Sequence, residues 1–139
     1  PADRKRYQER AQAIVAQYDA YAGIDGLHVN GKLTLGENIA DLGGIQIAYL
    51  GLQRALAGQP LATIDGFTPE QRFFLSFAQA WRSRYRPERE RLQLLTDSHS
   101  PPRYRVQGPL ANLPEFAKAF SCPSGARALR AEGSRVNLW

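Results

Sequence analysis

The chain has 139 residues, of which 43% are hydrophobic and 22% charged, and its formal net charge is +5. This is the size and composition of one globular domain; it excludes a mainly disordered chain, and no apolar run approaches the ~20 residues a membrane span requires. The single cysteine, Cys122, excludes an internal disulfide and a multi-cysteine zinc finger, and two histidines as far apart as His28 and His99 cannot form a His-x-x-x-His pair.

In chain order, residues 4–21 space Tyr7, Ala11, Ile14, Val15 and Tyr18 at helical intervals between Arg, Gln and Glu. That pattern predicts an amphipathic helix with one buried stripe. Gly23 and Gly26 end it, and 23–36 reads as a loop with a short extended piece at Leu33–Leu35. From Glu37 to Ala57, apolar residues on most faces predict a helix buried nearly all round. Gly43, Gly44 and Gly51 each cost such a helix about 1 kcal/mol against Ala, so close packing at these glycines is expected.

After a loop over 58–67, Thr68, Pro69 and Gln71 form an N-cap, first helical position and capping box. Phe73, Phe77, Trp81 and Tyr85 then fall at four-residue steps, and Pro87 is expected to break or kink that helix. Residues 88–95 read as a further helical turn or two, and 96–109 as a polar, proline-containing loop. Asn112 with Glu115 is expected to cap a short helix whose buried pair is Phe116 and Phe120. The tail from 121 is irregular, with the terminal Trp139 expected to dock. The chain divides into 1–22, 23–58, 59–95 and 96–139 within a single, mainly α unit. The charged opening is not expected to be a secretory leader, and a chain that begins at Pro1 and contains no Met is expected to be processed or a piece of something longer.

Glu37 and Asp41 stand one helical turn apart on one face, in a first turn where the helix dipole favours negative charge. They are either ordinary helix-start acids or a metal ligand with the carboxylate that orients a metal-bound histidine. Asp97 and His99 flank Ser98 in a loop. They form either a solvated turn or an imidazole held protonated as donor to a developing oxyanion. Arg103 and Arg105 alternate along a stretch expected to be extended, and either could grip a carbonyl or carboxylate. Arg82, Arg84, Arg86, Arg89 and Arg91 mix with Glu88 and Glu90 and lack the one-sided clustering of a nucleic-acid interface, so they read as a solvated face. Cys122 is either a buried thiol or half of a disulfide to a segment outside the chain.

Two long stretches carry a resemblance. VNGKLTLGENIADLGG (29–44) and DSHSPPRYRVQGPLANLPEFAKAFSCPSG (97–125), followed by the closing RVNLW, resemble the signatures of the neprilysin and endothelin-converting enzyme family of zinc metalloendopeptidases. The resemblance implies the helical C-terminal portion of a zincin-like catalytic domain within a larger two-domain enzyme. By position, Glu37 matches the third zinc ligand and Asp41 the aspartate that hydrogen-bonds a zinc-bound histidine. His99 matches the oxyanion-stabilising histidine, Asp97 its orienting partner, and Arg105 the arginine that holds a backbone carbonyl of the bound peptide. The family's His-Glu-x-x-His helix has no counterpart in these 139 residues.

The chain alone is therefore expected to be inactive and to hold Zn2+ weakly or not at all. Its expected partners are peptide substrates and the remainder of the same polypeptide, including the zinc helix and an N-terminal domain. Self-association is expected through the face of helix 37–57 that the zinc helix would cover. The family's cysteine at the position of Cys122 pairs with one near the N-terminus, and its members act in the periplasm or at the cell surface. A non-catalytic helical interaction domain is the alternative.

Overall fold

The computed structural model describes residues 2–138. Six helices follow in order: α1 (Ala2–Asp19), α2 (Leu35–Leu56), α3 (Pro69–Ala80), α4 (Pro87–Thr96), α5 (Pro102–Leu110) and α6 (Pro114–Ala119), with a 3-10 turn at Glu132–Ser134. Among the described residues there is no strand, only isolated bridges at Ala22–His28 and Ile64–Phe67. No described helix is long and apolar enough to cross a membrane. The expected docking of Trp139 lies outside the described residues.

The α1 stripe forms where Ala11, Ile14 and Tyr18 are buried, although Tyr7 is exposed. Helix α1 lies against α2 and α5, and α2 against α5, while α3 packs on α6. Their shared core joins Ile14 and Tyr18 to Leu42, Ile45, Phe74, Tyr104 and Leu110, closed by Leu113, Val136 and Leu138. Most polar side chains in this core are paired, as burial requires, although Gln93 Oε1 is buried without a hydrogen bond among the described residues. Asn112 Nδ2 donates to Gln17 Oε1 and to the Gly108 carbonyl, each at 2.9 Å, and its Oδ1 accepts from Val136 N at 2.9 Å. Asn112 is thus a core tie between α1, α5 and the tail, not the cap expected of it. Helix α6 starts instead at Pro114, with Leu113 as N-cap.

Thr68 and Gln71 form the expected capping box. The aromatic ladder ends sooner than expected, because α3 stops at Ala80 and Tyr85 lies beyond it in irregular chain. Pro87 therefore kinks nothing: it opens α4, where its missing N–H costs no bond. Leu33–Leu35 is not extended either; 31–34 turn and α2 begins at Leu35. The stretch read as loop over 96–109 contains α5, opened by Pro102. Gly108 serves this helix in a specific way: a Cβ there would lie 2.0 Å from Tyr18 Oη, so only glycine lets the tyrosine seat beneath α5.

Helix α2 is not buried all round. Leu42 and Ile45 are in the core, whereas Ile47 and Leu50 are 63% and 61% exposed. Nothing lies within 4 Å of a Cβ built on Gly44 or Gly51, so close packing does not account for those two glycines.

Candidate functional site

Three elements converge: the first two turns of α2, the loop between α4 and α5, and the start of α5. Glu37 and Asp41 stand on one α2 face, as their spacing requires. Asp97 is the C-cap of α4, and His99 follows in the five-residue passage to α5. Asp97 Oδ1 accepts from His99 N at 2.9 Å and faces His99 Nδ1 at 2.7 Å. These bonds stabilise its charge and hold the Asp97 carboxyl below its usual range. With Nδ1 facing Asp97, the ring turns Nε2 toward α2, 3.5 Å from Glu37 Oε2.

Arg105 reaches across to the same helix. Its Nε and Nη2 donate to the two oxygens of Asp41, each at 2.7 Å, and Nη2 lies 3.3 Å from Glu37 Oε2. The fork-to-carboxylate pairing raises the guanidinium's pKa further above its ordinary value. Asp41 and Arg105 have side chains only 9% and 13% exposed, against 39% for Glu37 and 46% for His99. The site thus has a closed ion pair at its base and an open carboxylate and imidazole at its mouth.

Arg103 is not part of it. On a helix, residues two apart point to opposite sides, so the extended reading that put both arginines on one face does not hold. Arg103 Nη2 donates to the Ala22 carbonyl at 2.7 Å, and its guanidinium lies over the Tyr104 ring. The basic run is spread over irregular chain and α4, and Arg91 is tied to Asp25. Cys122 is a half-buried free thiol in this structure.

Side chains that the sequence did not single out complete the site. The Trp81 ring lies beneath the Arg105 guanidinium, Cζ to ring centre 4.0 Å. Its place after α3 read as one more step of an aromatic ladder, and no local signal separates the two roles. Asn38 and Ser100, each one residue beyond a site residue, are buried and bonded to each other.

As a metal site the constellation is incomplete. Glu37 is accessible, and its contacts to Arg105 and His99 both converge on Oε2, which suits one carboxylate ligand. No group of three His, Cys, Asp or Glu able to hold a metal ion exists among the described residues, whereas a zinc site takes three or four protein ligands.

The sequence model of peptidase family M13 matches residues 1–136. An endothelin-converting enzyme homolog from Locusta migratoria is 48% identical over 125 residues, covering 87% of this chain and 17% of that protein. Neprilysin-1 of Caenorhabditis elegans is 46% identical over 127 residues, with the same coverages. The inhibitor-bound crystal structure of the Mycobacterium tuberculosis zinc metalloprotease Zmp1 superposes with a TM-score of 0.93 at 37% identity, covering 98% of this chain and 22% of that one. PepO from Lactobacillus rhamnosis gives 0.82 at 32% identity, covering 100% and 20%. The chain thus spans about a sixth of the length of the curated relatives it matches. Similarity of this extent, carried by sequence and fold together, makes the chain a member of peptidase family M13.

Proposed function

We propose that this chain is part of a zinc-dependent metalloendopeptidase that hydrolyses peptide bonds in oligopeptides. The observation that carries the reading is the convergence, from three separate elements, of Glu37, His99 and Arg105, with Glu37 Oε2 facing both the imidazole and the guanidinium. An ordinary helix-start acid needs no such company. A purely helical interaction domain would leave this convergence without a reason.

In this reading Glu37 supplies one zinc ligand, and the other ligands come from a paired-histidine helix elsewhere in the polypeptide. Zinc, when bound, would polarise the scissile carbonyl and acidify a water molecule. The chain's own residues do the rest. His99, oriented by Asp97, offers Nε2–H to the oxygen where negative charge develops. Arg105, clamped by Asp41 and backed by Trp81, has Nη1 left to hold a backbone carbonyl of the peptide. Asp41 here fixes the arginine; a carboxylate has lone pairs enough to orient a zinc-bound histidine as well.

The test is metal content and peptide hydrolysis of the polypeptide that carries this region together with the paired-histidine helix. Glu37→Ala should lose both zinc and turnover; full zinc and normal turnover in that variant would overturn the reading. The 139-residue chain alone should hydrolyse nothing and bind zinc weakly, and a tight one-to-one site by calorimetric titration would contradict the assignment of Glu37 as one ligand of several.

A further inference from the structure

Glu37 and His99 touch only loosely, 3.5 Å apart and open to solvent. Such a contact cannot fix the distance between α2 and the loop that carries His99. One residue further along each element, the chain makes a bond that can. Asn38 and Ser100 are each 1% exposed, and Ser100 Oγ donates to Asn38 Oδ1 at 2.8 Å. Asn38 is held in turn, since its Nδ2 donates to Thr34 Oγ1 at 2.9 Å, and Thr34 Oγ1 donates to the Asn30 carbonyl at 2.9 Å. Thr34 therefore does not cap α2 with its side chain; it serves this chain of bonds. From the other side, the buried Gln93 aims its Nε2 at the carbonyls of His99 and Ser100, 3.3 and 3.4 Å away.

Buried polar groups are costly unless paired, and a paired network permits few alternative arrangements. Two apolar side chains at 38 and 100 would join α2 to the loop as firmly but would leave their relative register looser, because apolar contact is not directional. The buried bond is directional. Adjacent residues on a helix point about 100° apart, so Asn38 faces inward while Glu37 faces the open side. In the loop, Ser100 is buried while His99 is exposed.

We propose that Asn38 and Ser100 are positioning residues, whose mutual hydrogen bond holds His99 in register with Glu37 and acts on turnover through His99 alone. This rests on the reading of His99 given above. The experiment is a double-mutant cycle in the zinc-loaded, peptide-hydrolysing polypeptide: wild type, Ser100→Ala, His99→Ala and the double variant, each measured for kcat, KM, zinc content and thermal midpoint. Displacement of a catalytic group by about 1 Å can cost on the order of 100-fold, so Ser100→Ala should lower kcat by roughly 10- to 100-fold with KM and zinc unchanged. In the His99→Ala background it should change kcat by less than about twofold, since the group it positions is already gone. A merely structural role would lower the thermal midpoint and cut kcat equally in both backgrounds, and that result, or no loss of kcat in the single variant, overturns the proposal. Normal turnover in His99→Ala alone removes the His99 reading and the proposal with it, and that single variant identifies which of the two has failed. Should Ser100→Ala not fold, Ser100→Cys keeps most of the volume with a much weaker donor, and the same two outcomes decide.

Discussion

Arg105 grips Asp41 through two 2.7 Å hydrogen bonds, joining residues 64 apart in sequence. Both side chains are largely buried, and removing one partner of a buried pair typically costs about 3–5 kcal/mol because the other charge is stranded. Some exposure remains here, so Asp41→Asn should destabilise the chain by about 3 kcal/mol, the lower end of that range. Chemical denaturation of the 139-residue chain measures it. A loss within experimental error would mean that solvent already screens the pair.

His99 and Glu37 should fail in different ways when altered in the active polypeptide. Loss of one oxyanion donor typically costs about 100- to 1000-fold in kcat. His99→Ala should therefore reduce kcat by about that factor while zinc is retained, whereas Glu37→Ala should release the metal. Metal analysis beside steady-state kinetics separates the two.

Asp97 gives the chain an acid-sensitive element. Its two bonds from His99 hold its pKa below the ordinary 3.8. A carboxylate depressed on folding contributes stability above its unfolded pKa and loses it as pH falls through the lower, folded value. The stability difference between wild type and Asp97→Asn should thus be present above the ordinary carboxylate range and shrink toward zero in strong acid. A difference that persists undiminished in acid would show that the bonds to His99 contribute nothing through the charge.

Gly108→Ala tests the seat of Tyr18. The added Cβ would lie 2.0 Å from Tyr18 Oη and 2.4 Å from Cζ, and the ring is 1% exposed with nowhere to retreat. Overpacking of this kind costs about 1–3 kcal/mol, more than the gain in helix propensity from replacing glycine. A stabilised variant, read by thermal unfolding, would mean that α5 and α1 slide apart freely.

Exposed apolar residues on α2 predict association of the isolated chain. Ile47 and Leu50 lie on the same helix face, more than half exposed, and Gln46, Tyr49, Leu50 and Leu113 help line a shallow cavity of about 240 Å³ beside them. Light scattering should show mass rising with concentration, and Leu50→Glu should reverse it. A monomer at all concentrations would mean that this face is tolerated in water.

Much of the helical layout was legible because its signals are local. Thr68, Pro69 and Gln71 determine the start of α3 within four residues, and the amphipathic spacing of α1 needs no tertiary information. Helix α5 was not legible: Pro102, Gly108 and Pro109 read as breakers, yet Pro102 occupies the one turn where proline is harmless, and Gly108 is demanded by a tyrosine on another helix. Asn112 shows the same limit from the other side. Its spacing to Glu115 is that of a capping box, and only the arrival of Gln17 and Val136 from distant segments decides its use. In the site, Glu37, Asp41, Asp97, His99 and Arg105 could be named from two long signatures. That Arg105 is clamped by Asp41 and stacked on Trp81 depends on packing between elements, which sequence spacing does not report.

Helices α4, α5 and α6 all open on a proline and carry no capping side-chain bond. Their starting points are therefore fixed by ring sterics instead of by a hydrogen bond that protons, salt or denaturant could compete away. The segment bearing His99 runs from the C-cap of α4 at Asp97 to the proline start of α5 at Pro102, so its far end is delimited by covalent geometry. An insertion or deletion within this five-residue passage would move the imidazole relative to a start that the Pro102 ring holds in place.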